Sequence, residues 1–187
     1  MRKIALIFIL ILIMSITIIG CNTAAKEENE RTAVSQIVEE STKDEKLFDK
    51  ILKTSNARLY GKMIDEVWKI DSALNSGISY INVDTKTFKN FKEEDKKQLF
   101  KYLSEQYDAK ILDMTIDELE EEGYVKDLSF EDGILFSIDK YIINSEDKIL
   151  LEGRKWASGM GAIGFLIEAE KVDSEWNIKR CDMTWIS

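Results

Sequence analysis

The sequence predicts an α+β fold, with N-terminal helices packed on a C-terminal antiparallel β-meander. Two observations carry this. Apolar residues recur every three to four positions as far as Tyr107, and from Leu128 onward they alternate with polar ones. Helices first and strands last is a segregated order, which places the helices on one face of a single sheet.

The elements follow in turn. Thr42, with Glu45 three residues on, reads as a capping box, and Leu47, Phe48, Ile51 and Leu52 form the apolar stripe of the helix it opens. A second stripe runs through Tyr60, Met63, Ile64, Val67, Trp68 and Leu74, with a stop expected at Asn75-Ser76-Gly77. Ile78 to Val83 reads as a strand. Asn90 with Glu93 opens a third helix, on which Leu99, Phe100, Leu103 and Tyr107 share a face. Lys110 to Met114 is a short strand, and Thr115 with Glu118 caps a brief helix ending at Gly123.

The second half changes period. Asp132-Gly133 signals a turn, after which Ile134, Phe136 and Ile138 alternate with Leu135, Ser137 and Asp139. A strand from Ile149 to Ala157 follows the turn at 144–147. Ile163, Phe165, Ile167 and Ala169 then alternate with Gly164, Leu166, Glu168 and Glu170. The last strand carries Trp176 and Ile178, then Cys181, Met183 and Trp185, and its change of parity near Lys179-Arg180 predicts a β-bulge. This order is similar in layout to the NTF2-like and cystatin-like folds, which implies a curved sheet wrapped around a helix. The stretch Trp156 to Gly164, read as Trp-x-Ser-Gly-x-Gly-x-x-Gly, resembles a group of uncharacterised secreted proteins of low-GC bacteria. That likeness implies no activity.

The N-terminus divides from the rest. Met1-Arg2-Lys3 is a basic start, Ile4 to Ile19 is sixteen residues without a charge, and polarity rises directly after Cys21. This is the layout of an export signal, with Arg2 and Lys3 held inside and the chain after Cys21 sent outward. Sixteen residues of helix span about 24 Å, short of a hydrocarbon core of about 30 Å, so a cleaved signal fits better than a membrane-spanning anchor. Ile18-Ile19-Gly20-Cys21 resembles the lipobox of bacterial lipoproteins. The resemblance implies a diacylglyceryl group on the Cys21 sulfur, cleavage between Gly20 and Cys21, and attachment to the outer face of the cell membrane. Two acyl chains, at about 0.8 kcal/mol per buried methylene, anchor stably where one does not. The expected organisation is a signal peptide over 1–20, a flexible tether over 21–41 and a single α+β domain over 42–187.

Composition excludes several chemistries. The chain has 35 acidic against 26 basic residues, and loss of Arg2 and Lys3 with the signal takes the net charge from −9 to −11. Such a charge repels nucleic acid. Histidine is absent, which removes Ser-His-Asp and Cys-His catalysis and histidine-ligated metals. Cysteine occurs only at Cys21 and Cys181, so no thiolate cluster holds a metal. A Cys21–Cys181 disulfide is excluded if Cys21 carries lipid, and Cys181, on an apolar run, is expected to be a buried, inert thiol.

Gly159, Gly161 and Gly164 match G-x-G-x-x-G, but the dinucleotide site needs a helix after it, and Phe165 to Ala169 reads as a strand. These glycines are expected to allow a sharp hairpin or a close approach. The acidic run Asp117, Glu118, Glu120, Glu121, Glu122 reads as a solvated helix face. Trp156, Trp176 and Trp185 are expected in the core of the sheet rather than on a sugar-binding platform. No cofactor or metal is expected. The leading expectation is a non-catalytic, membrane-anchored binding module with membrane lipid at Cys21 and a protein of the envelope as partners. A small-ligand binder with a pocket between sheet and helix, and a carboxylate-dependent cell-wall glycan hydrolase, are the alternatives.

Overall fold

The structure, a computed structural model, describes residues 44–187, and Lys46–Ser187 form one compact unit. The lipobox Ile18, Ile19, Gly20 and Cys21, the tether over 21–41 and the capping residue Thr42 lie outside the described residues. Helix α1 (44–51) is followed by α2 (Ser55–Lys69), β1 (Tyr80–Val83), α3 (Glu93–Tyr107), β2 (Lys110–Leu112) and α4 (Ile116–Glu121). The strands β3 (Gly133–Ser145), β4 (Lys148–Ser158), β5 (Gly161–Val172) and β6 (Glu175–Ile186) then form the meander. The class is α+β, with the helices N-terminal to the strand meander. No helix among the described residues is long and apolar enough to cross a membrane.

The six strands make one sheet in the order β2-β1-β3-β4-β5-β6. β3 to β6 pair antiparallel, as their alternation predicts, whereas β1 pairs parallel with both β2 and β3. Asp132-Gly133 therefore does not close a hairpin. Gly133 opens β3 beside Tyr80, and the Asp132 carbonyl accepts the N–H groups of Ser79 and Tyr80 at 2.7 and 3.0 Å. Parallel pairing needs a crossover, and α3 supplies one between β1 and β2.

The inner face of the sheet buries Ile81, Val83, Ile134, Phe136, Ile138, Leu151, Phe165, Ile167 and Ala169 against Phe48, Ile51 and Leu52, the α2 stripe and Leu99, Tyr102 and Leu103 of α3. On the outer face α4 and the loop after it cover a second cluster of Leu112, Leu119, Val125, Phe130, Leu135, Trp156 and Ala162. The helices thus occupy both faces rather than one. Leu119 and Val125 need an apolar floor, and Leu135 and Trp156, on the outer side of their strands, provide it.

Two helix ends differ from the sequence reading. α3 is capped at Lys92, whose N–H donates to the Asp95 carboxylate at 2.7 Å, while Asn90 turns through positive φ ahead of it. α2 ends at Lys69, not at Asn75-Ser76-Gly77, because Asp71 adopts a left-handed φ of 46° and Ser72–Asn75 forms a separate 3-10 turn. A buried cation holds this end. Lys155 on β4 is fully enclosed, and its Nζ donates to the carbonyls of Ile70 at 2.7 Å, Asp71 at 3.1 Å and Trp68 at 3.4 Å. Burial pushes the ammonium down to about 8. A positive charge at a helix C-terminus also meets the negative end of the backbone dipole.

The glycine motif sits in the β4–β5 hairpin, as expected of a turn and a close approach. Ser158 pairs with Gly161 across the turn, and a Cβ on Gly164 would meet the Trp185 indole at 2.1 Å. β6 carries the expected bulge, with Lys179 as the extra residue between Ile178 and Arg180. A second bulge at Thr184 turns Trp185 away from the face of Met183. Trp185 is consequently 46% exposed on the outer face, while Trp156 is buried and Trp176 half-buried against the inner core. Core placement therefore holds for Trp156 and Trp176 and fails for Trp185.

Replacing Lys155 with Met takes the donor from the Ile70 carbonyl, whereas Asn75 Nδ2 still serves Trp68 and the Leu74 N–H still serves Asp71. The Lys155→Met protein should be less stable by about 1–3 kcal/mol in denaturant melts, the cost of leaving one buried carbonyl unpaired.

Candidate ligand-binding recess

A short polar segment follows β1 and builds the site. Asp84 extends the β1–β3 pairing, its N–H donating to the Phe136 carbonyl at 3.1 Å. The 3-10 turn Thr85–Thr87 then bends the chain. Thr87 clasps the turn, since its Oγ1 donates to the Asp84 carbonyl at 2.6 Å and accepts the Ile138 N–H at 3.1 Å. Asp113, just past β2, accepts the Thr85 N–H at 3.0 Å and the Thr85 hydroxyl at 2.8 Å, and it is ion-paired with Lys96. Burial raises the Asp113 carboxyl, but Lys96 and the Thr85 donors outweigh it and the net shift is downward.

Neighbouring polar groups are satisfied in the same manner. Asn82 is buried on β1, donating to the Met114 carbonyl at 2.8 Å and accepting the Met114 N–H at 3.0 Å. Its side chain acts as a backbone unit that seats the start of α4. The Thr115–Glu118 capping box forms as expected, with the Thr115 N–H donating to Glu118 at 2.8 Å. Lys86 bonds Glu118 at 2.5 Å, and together with the Thr115 donors it draws that carboxyl down to about 2. Of the acidic run, Glu118 has these roles, whereas Glu120, Glu121 and Glu122 are exposed as a solvated face.

On the outer face these elements enclose a recess of about 140 Å³, lined by Asp84, Ile116, Leu135, Ser137, Asp139 and Trp156, with Thr87 and Arg154 completing the wall. Asp139 follows Leu135 and Ser137 on the outer side of β3, and it is the extra residue of a bulge between Ile138 and Lys140. Arg154 binds Asp139 Oδ1 through both Nε at 3.1 Å and Nη2 at 2.5 Å. Register places Ser137, Arg154, Gly164 and Trp185 side by side on successive strands, so the exposed indole lies along the same row as the recess.

Asp84, which lines the recess, carries one oxygen that is itself closed off and has no hydrogen-bond partner. Among the described residues three buried side-chain polar atoms lack a hydrogen-bond partner, namely Ser55 Oγ, Asn75 Oδ1 and Asp84 Oδ1. Only Asp84 is ionisable and lines a recess. Its side chain is 9% exposed, and burial raises its carboxyl above the usual range. The Lys86 N–H opposes that rise, while repulsion from Asp113 adds to it. A larger hollow of about 330 Å³ opens at the other end of β1, among Tyr80, Tyr124, Lys126 and Phe130, and contains no such group.

Two further buried networks serve the fold. Tyr60 and Tyr141 share a hydrogen bond at 2.9 Å, and both hydroxyls accept the Lys89 N–H at 3.0 Å. Asp65 on α2 accepts the hydroxyls of Tyr102 at 2.8 Å and Tyr107 at 2.7 Å, joining α2 to α3. Cys181 is half-buried rather than fully buried, with its thiol pushed up to about 11 by burial. No group of three acidic or cysteine side chains among the described residues is placed to hold a metal ion. No family model, curated protein or solved structure matches the chain.

The Asp65 site makes stability depend on pH. Burial raises its carboxyl to about 6 from 3.8, against the two tyrosine donors. The folded state therefore holds the proton longer than the unfolded state, and stability contributed below pH 4 is lost as pH rises through 6. Asp65→Asn removes this loss. Between pH 4 and pH 7 the variant should gain about 1–3 kcal/mol relative to the parent, measured by paired denaturant titrations.

Proposed function

We propose that this chain is a lipoprotein held on the outer face of the cell membrane through Cys21, and that its domain is a non-catalytic binding module. Ile18-Ile19-Gly20-Cys21 behind an uncharged run of sixteen residues supports the anchor, and the recess supports the binding role. The single observation that carries the binding role is the recess itself, which brings the Asp84 and Asp139 carboxylates beside the apolar side chains of Ile116, Leu135 and Trp156. Binding is favoured over turnover because the machinery of common hydrolases is missing. Histidine is absent, and no metal-holding cluster occurs among the described residues.

A second reading is carbohydrate hydrolysis by a carboxylate pair, since Asp84 and Asp139 line one recess and Asp84 is raised toward the range of a general acid. Buried Trp156 offers a sugar little of its face.

Cells given a radiolabelled fatty acid should label the parent chain and retain it in the membrane fraction, whereas Cys21→Ala should be unlabelled. An unlabelled parent overturns the anchor. Turnover of cell-wall fragments by the parent, abolished in Asp84→Asn, overturns the non-catalytic reading in favour of the second.

A further inference from the structure

We propose that Met160 is the oxidation site of this domain, taking oxygen from a hydroperoxide ahead of the other described methionines and leaving the fold as it was. The inference goes beyond the binding role and does not depend on it.

The described residues include four methionines, at 63, 114, 160 and 183. Their surroundings differ. Met63 on α2 is fully enclosed in the core between helix and sheet. Met114 is partly buried against the cluster on the outer face. Met183 on β6 is 49% exposed and paired with Phe165 of β5. Met160 is 91% exposed, more than any other large apolar side chain among the described residues.

The glycine motif explains that exposure. Ser158 pairs with Gly161, so Gly159 and Met160 form the tip of the β4–β5 hairpin. A glycine on each side offers no side chain to shade the thioether. The tip is also tied down. The Gly159 N–H donates to the Leu128 carbonyl at 2.9 Å, and Gly161 lies so close to Ser158 that a Cβ there would meet the Ser158 hydroxyl at 2.8 Å. An anchored turn therefore holds the Met160 side chain in water.

The chemistry needs access and no neighbouring base. A sulfur lone pair attacks the outer oxygen of the hydroperoxide, and the S–O bond forms as the O–O bond breaks. The proton of the attacked oxygen passes to the departing one, which leaves as an alcohol, or as water when the oxidant is hydrogen peroxide. Sulfur loses two electrons and the peroxide gains them. The product is a polar, chiral sulfoxide. At Met160 the new S=O group enters water and displaces no packing. At Met63 it would enter an apolar core, so oxidation there must wait for the fold to open. Leu128, exposed beside the same tip, stays apolar, and the most exposed apolar point of the domain becomes polar.

The test adds one equivalent of hydrogen peroxide to the full chain in peroxide-free non-ionic detergent and follows each methionine with time by tryptic mass mapping. The four methionines fall on four different tryptic peptides. The added oxygen should appear first at Met160, about twofold or more faster than at Met183 and about tenfold or more faster than at Met63. In concentrated urea the four rates should converge, since the fold and not the flanking sequence sets their order. Protein oxidised at Met160 alone should melt at the same temperature as the parent. First oxidation at Met183, Met114 or Cys181 would overturn the proposal. So would an order that persists in urea, or a lowered melting temperature for the product oxidised at Met160.

Discussion

The architecture depends on a single enclosed positive charge. Lys155 lies midway along β4, and a charge in that position must find acceptors or be expelled. The acceptors it finds are the carbonyl of Trp68, in the last turn of α2, and those of Ile70 and Asp71 just past it. One need answers the other. The end of α2 is thereby tied to the middle of the sheet, and its apolar stripe is set down over β3, β4, β5 and β6. The left-handed turn at Asp71 follows, because the carbonyls of Ile70 and Asp71 must swing toward the amine instead of continuing the helix. The Asp65 bonds to Tyr102 and Tyr107 then fix α3 beside α2.

The recess lined by Asp84 and Asp139 lies on the outer face of the sheet. Bulges shape that face. The extra residue at Asp139 shifts the alternation of β3, so that Tyr141 rather than Lys140 faces the core, while the extra residues at Lys179 and Thr184 reset β6 twice. The second reset carries Trp185 onto the outer face, over the one glycine in β5 that leaves room for it. Without the insertion at Thr184, Trp185 would share the face of Met183.

Local signals in the sequence made most of the elements legible. Alternation from Ile134 to Ala169 identified the inner face correctly, and the parity change at Lys179-Arg180 located a bulge. The Thr115–Glu118 box marked a helix of only six residues. The end of α2 was not legible, because Lys155, eighty-five residues beyond Ile70, supplies the partner that ends it. Nor was the parallel pairing of β1. Its four residues form no pattern that distinguishes a parallel neighbour from an antiparallel one. The recess escaped notice for a related reason. Asp84, Asp139 and Arg154 belong to three separate segments, and none stands in a motif. A faint signal existed in Asp139, an acid at the position where the alternation of Ile134, Phe136 and Ile138 gives way.

Lys155 and Asp84 show what a buried charge in a small domain implies. Lys155 is surrounded by acceptors drawn from the chain itself, so its cost is met by folding and it needs nothing from outside. Asp84 sits among groups that are nearly all spoken for. Thr87 bonds its carbonyl rather than its bare oxygen, Asp113 repels it, and Lys86 is held by Glu118. Folding leaves that oxygen without a donor, yet the Lys86 N–H and the Lys86 charge both favour the carboxylate, so part of its cost is met within the chain. The carboxylate lies at the C-terminal end of β1, where the parallel part of the sheet meets the meander.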